Sequence, residues 1–141
     1  MTTSRSRSLP ARRLAALAVA LAALAPAAPA AAAGSRTYRN TLSVLFRSGP
    51  AGDQFRGRVH SARRDCLGGR RIAIFRKRPG ADLRLGSTRS REGGHWRIDP
   101  PGGTVAPGRY YAVMRRKVLE RGGGEVKQCA AVQTPALRVT R

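Results

Sequence analysis

Arginine dominates what this chain could do chemically. Lysine and arginine together number 28 against seven acidic residues, a formal net charge of +21. The basic residues gather in three places. Arg63, Arg64, Arg70 and Arg71 bracket Cys66, while Arg76-Lys77-Arg78 and Arg115-Arg116-Lys117 each close an apolar segment. A guanidinium is a planar fork of donors suited to gripping phosphate or carboxylate with two bonds at once. Summed positive charge also attracts polyanions from a distance. The chemistry these residues can perform is therefore polyanion binding. A blander origin fits the same composition, since only Lys77, Lys117 and Lys127 are lysine. GC-rich codons raise arginine on any surface that tolerates it.

Cys66 and Cys129 are the two cysteines. In an oxidising compartment an even count predicts a disulfide, with a free thiol or an intermolecular bridge as the alternatives. Closing so long a loop stabilises by roughly 4 kcal/mol on the chain-entropy argument. That is large beside the ~5–15 kcal/mol typical of a whole domain. The histidines, His60 and His95, have no neighbours at metal-ligand spacing. No Gly-x-Ser-x-Gly turn announces a hydrolase. The glycine runs at 102–103 and 122–124 lack the Lys-Ser/Thr of a phosphate loop. These absences point to a protein without catalytic residues, metal or cofactor.

The elements that must position the arginines read as strands. Short apolar segments recur between clusters of Gly, Pro, Asp and Arg, the mark of an all-β sandwich or barrel. Strands are expected at 41–46, 55–61, 71–76, 85–90, 95–99, 109–116, 129–132 and 137–140. Over 55–61, Phe55, Gly57 and Val59 alternate with Arg56, Arg58 and His60, which form a solvent face. Trp96 and Ile98 share a strand face and are expected in the core. Ile72 and Ile74 oppose Ala73 and Phe75 on one strand, and Tyr111 and Val113 oppose Tyr110, Ala112 and Met114 on another. No sustained helical period appears beyond residue 33. The expectation is about seven short strands in an immunoglobulin-like or prealbumin-like Greek-key sandwich.

Residues 1–33 are of another kind. Arg5, Arg7, Arg12 and Arg13 precede an unbroken Ala/Leu/Val run at 14–25, followed by Pro26, Pro29 and alanines to Ala33. A positive head, an apolar middle and an Ala-x-Ala end are the parts of a cleaved export signal. Cleavage near Gly34 would release a secreted protein. A retained anchor is the alternative, since about 20 apolar residues can span a bilayer; the alanine content and both prolines argue against it. Arg12-Arg13 leaves the twin-arginine and general export routes open. Residues 34–40 read as a loose leader and 41–141 as one domain with a modest core.

Several short motifs carry a family resemblance. They are Phe55-Arg-Gly-Arg-Val59, Cys66 before Arg71-Ile-Ala-Ile-Phe75, the hairpin from Gly86 through Gly93-Gly94-His95-Trp96 to Ile98, and Pro107-Gly-Arg-Tyr-Tyr-Ala112. In this order they resemble the transthyretin-like, carboxypeptidase-regulatory-like β-sandwich domains of exported bacterial proteins. The resemblance implies a support, adhesion or binding module and no catalysis. Related adhesin repeats carry a Lys–Asn crosslink, but Arg56 and Arg58 occupy the early strand here and Asn40 is the one asparagine. The crosslink is not carried over.

The leading functional expectation is a secreted module contacting an anionic envelope polymer or an acidic protein. Arg63, Arg64, Arg70, Arg71, Arg76, Lys77, Arg78, Arg115, Arg116 and Lys117 would form one merged basic surface. A second expectation is an adhesive or scaffold protein with an apolar outer patch of Phe75, Tyr110 and Met114. A secreted enzyme inhibitor fits the same small β-domain. Nucleic acid fits the charge but not the compartment, and no recognition motif accompanies it.

Overall fold

Alternating apolar and polar residues favour strands because one face of a pleated ribbon can then be buried. The computed structural model describes residues 34–122 and 125–140, so the expected export signal lies outside the described residues. These belong to one unit, Ala31–Arg141. They form twelve strands and two short 3-10 turns, Arg64–Cys66 and Pro101–Gly103, with no α-helix. No described helix is long and apolar enough to cross a membrane.

Three sheets result. In the first, β1 (Gly34–Tyr38) runs parallel to β10 (Glu125–Cys129), which pairs antiparallel with β9 (Lys117–Gly122). In the second, β2 (Thr41–Leu42) and β3 (Leu45–Arg47) lie along one side of β4 (Gln54–His60), and β7 (His95–Ile98) along the other. The third has the order β11 (Val132–Gln133), β8 (Gly108–Met114), β5 (Arg71–Arg76), β6 (Leu83–Arg89). There β12 (Leu137–Val139) also pairs with β8.

The second and third sheets share one hydrophobic core. Phe55 and Val59 of β4, Trp96 and Ile98 of β7, Ile72 and Ile74 of β5, and Tyr110, Ala112 and Met114 of β8 form a single buried cluster. Each large side chain buried there contributes about 1.5–3 kcal/mol. Trp96 and Ile98 lie in the core as expected, and Cys66 and Cys129 form a disulfide.

The structure departs from the sequence expectation where backbone pairing overrides pattern. Gly34–Tyr38 is a strand rather than a loose leader, held by its ladder with β10. The segment at 117–122, outside the strands expected from sequence, forms one side of the β9–β10 hairpin. Neither has an apolar face, so neither left a hydrophobic signature. The expected strand at 41–46 breaks at Ser43 and Val44. There the Arg58 N–H donates to Ser43 Oγ at 2.9 Å, and the Ser43 N–H donates to the Arg58 carbonyl at 3.0 Å.

The expected apolar outer patch does not form. Directly opposite residues of paired strands share a face, and Ile72 stands opposite Met114 while Ile74 stands opposite Ala112. Met114 and Tyr110 therefore point into the core and are fully buried. Phe75 does face outward, but it stacks on Tyr111 with ring centres 5.5 Å apart. The Tyr111 hydroxyl donates to Asp82 at 2.6 Å, and the Lys77 ammonium lies 5.9 Å from its ring.

Candidate polyanion-binding surface

Strand direction separates the expected basic residues into two groups. β5 and β8 are antiparallel, with Ile72 opposite Met114 and Arg76 opposite Tyr110. The ends of the two strands therefore lie at opposite edges of the sheet. Arg76, Lys77 and Arg78 fall at one end. Arg71 falls at the other beside Arg115, whose N–H donates to the Arg71 carbonyl at 3.0 Å. At about 3.4 Å per residue the two ends are roughly 17 Å apart, about two Debye lengths at physiological salt. The single merged surface expected from sequence is not present.

Within these groups the side chains differ in what they already hold. Arg64, Arg71, Arg115 and Arg116 are exposed, and none forms an ion pair among the described residues. Arg63 pairs with Asp65 at 3.0 Å and lies over the Tyr38 ring at 5.1 Å. Lys117 is turned inward, its ammonium donating to the carbonyls of Asp65 and Gly68, each at 2.9 Å. Arg76 donates to the Pro107 carbonyl at 2.9 Å, while Lys77 and Arg78 are exposed.

Arg70 is not a surface residue. It is fully buried and donates to the carbonyls of Cys66 at 3.2 Å, Arg115 at 2.8 Å and Ala130 at 2.7 Å. Burial pushes its pKa down from the usual value. Its role is to join three segments around the disulfide, and it is withdrawn from the polyanion candidates.

A further group of basic side chains lies on the outer face of β4 and β7, part of which the sequence pattern marks as a solvent face. Antiparallel pairing sets Arg56 directly opposite Arg97, and Arg58 directly opposite His95. All four are exposed. Together with Thr88 and Arg89 of β6 and with Arg91, they line an open groove of about 810 Å³. The one carboxylate in its lining is Asp99. Arg97 already engages both oxygens of that carboxylate, at 2.9 to 3.0 Å, which raises the Arg97 pKa. Arg56, Arg58 and Arg91 form no ion pair among the described residues.

The local sequence explains how β4 and β7 come so close. Gly57 stands opposite Trp96, and a Cβ on it would lie 2.0 Å from the Ser43 carbonyl oxygen and 2.8 Å from Trp96 Cζ2. Only glycine allows the β2–β3 break and the indole to meet there. The Arg-x-Arg alternation was visible in the sequence. The pairing that sets Arg97 across from Arg56 was not. Among the described residues no group of three or more His, Cys, Asp or Glu side chains is placed to hold a metal ion. No protein-family profile, curated protein or solved structure matches this chain.

Proposed function

We propose that this is a secreted, non-catalytic binding module that holds an anionic polymer of the cell envelope through its arginine-rich surface. The observation that carries the reading is the opposition of Arg56 to Arg97 and of Arg58 to His95. Arg56 and Arg97 are like charges directly across a strand pair, an arrangement that destabilises a sheet and that the Arg97–Asp99 ion pair relieves only in part. A bound polyanion turns that repulsion into attraction. The disulfide fits an oxidising, extracytoplasmic compartment, in keeping with the export signal read in residues 1–33.

The frame we propose for the module is a Greek-key sandwich, similar in plan to the transthyretin-like and carboxypeptidase-regulatory-like domains. Two sheets sharing one core support it. So does Tyr110 near the start of β8, whose hydroxyl donates back to the Ala106 carbonyl, as in the tyrosine corner of such sandwiches. The test is retention of the oxidised protein on immobilised envelope polyanion across a salt series. Retention at low salt that falls steeply as salt rises is expected. Absence of retention at low salt overturns the function.

A further inference from the structure

We infer that the groove over β4 and β7 is a binding site for an acidic polysaccharide, an inference that rests on the polyanion-binding function proposed above. Its cationic groups are ordered along the strands. Alternate residues of a strand stand about 7 Å apart on one face, so Arg56 and Arg58 mark out a regular row, across from Arg97, which is engaged with Asp99, and from His95. An extended polymer with a repeating acidic group meets Arg56 and then Arg58 along this row, neither of which forms an ion pair among the described residues. The volume, about 810 Å³, lies within the range of small-ligand sites.

The rest of the lining separates sugars from simpler polyanions. Beside the guanidinium groups stand the half-buried neutral side chains Gln54 and Thr88, and Leu45, which is 55% exposed. A phosphate chain presents charge alone. An acidic sugar presents carboxylate or sulfate, hydroxyls, and an apolar C–H face. Arginine takes the first, Gln54 and Thr88 the second, and Leu45 the third. Trp96 also lines the groove but is 4% exposed, so it serves as floor and not as a stacking platform.

Trp96 is the one tryptophan of the chain and reports occupancy of this groove. Full-length oxidised protein is titrated at low salt with oligogalacturonate, sulfated dextran oligomers, polyphosphate of matched charge, and neutral dextran. A saturable change in Trp96 fluorescence with at least one acidic sugar is expected, the responding arm identifying carboxylate or sulfate. Polyphosphate should need a concentration about tenfold higher, and neutral dextran should give no change. Arg56→Gln should weaken acidic-sugar binding about tenfold and lower the salt slope by about one. Arg138→Gln, which removes the same charge from an exposed position of β12, should stay within about twofold of the unsubstituted protein. Matching circular dichroism spectra verify the fold of both variants.

Polyphosphate binding as tight as the sugars overturns the polysaccharide assignment. Resin retention unchanged by Arg56→Gln, without any tryptophan response, overturns the groove as the site while the broader polyanion function stands. Absence of retention in the unsubstituted protein removes both.

Discussion

Arg70 Nη2 and Asn40 Nδ2 donate to the same oxygen, the carbonyl of Ala130, at 2.7 and 3.1 Å. Ala130 directly follows Cys129, and Arg70 also holds the carbonyl of Cys66. Both ends of the disulfide are thus tied to one buried guanidinium, and both of its sulfur residues are fully buried. A covalent link closes the long loop, and Arg70 fixes the strands on either side of it.

Replacement of Arg70 therefore acts on stability. Arg70→Leu leaves three carbonyls without their charged donor, and a cost of about 3 kcal/mol is expected in urea denaturation of the oxidised protein. Arg70→Lys should recover only part, because one ammonium cannot reproduce the planar fork that reaches three segments. A loss of polyanion retention at unchanged stability would contradict this structural role.

The opposed arginines make the reverse prediction. Arg56→Gln removes one side of a like-charge pair that Asp99 relieves only in part, and should raise the melting temperature slightly at low ionic strength. The gain should vanish at high salt, where exposed charges are screened. Thermal melts at two salt concentrations measure it. Increased stability together with weakened binding is the pattern of a site that accepts strain for function.

Gly57→Ala tests the close approach between β4, Ser43 and Trp96. Its Cβ would lie 2.0 Å from a backbone oxygen, which cannot be relieved by moving a flexible side chain. A cost of about 3 kcal/mol is expected, with a shift in Trp96 emission in the folded protein. Unchanged emission and an unchanged denaturation midpoint would show that the strands can part there freely.

The Tyr111–Asp82 hydrogen bond sets two limbs of the pH profile. It holds the Asp82 carboxyl below its ordinary value, helped by the Arg78 N–H. It also holds the Tyr111 hydroxyl above its own. The Asp82 contribution is present above the unfolded carboxyl pKa, about 3.9, and is lost as pH falls through the lower folded value. The Tyr111 contribution is present below about pH 10 and is lost as pH rises through the higher folded value. Tyr111→Phe should lower the melting temperature across the neutral range, with the gap to the unsubstituted protein closing at both extremes.

Much of the β-structure was legible from local pattern. The strand over 71–76 appears with its foreseen bounds, because alternation of Ile72 and Ile74 with charged and outward residues is a property of the segment alone. Burial of Trp96 and Ile98 followed from the same period. The pairing of Cys66 with Cys129 needed only that there be two cysteines and an oxidising compartment. β1 was illegible because its stability comes from a backbone ladder with a strand distant in sequence, and β9 because its hairpin ladder with β10 carries no apolar face; neither leaves a trace in residue type.

The amino-acid sequence alone determined the strand character of the chain and its excess of positive charge, since each depends on composition or on neighbours a few residues away. Tertiary structure decided that Met114 faces inward, that the two basic ends stand apart, that Arg70 is buried, and that Arg97 stands across from Arg56. The reason is register. A slip of one residue between strands far apart in sequence exchanges every inward side chain for an outward one. That choice is set by the summed packing of the shared core, a quantity no single segment contains.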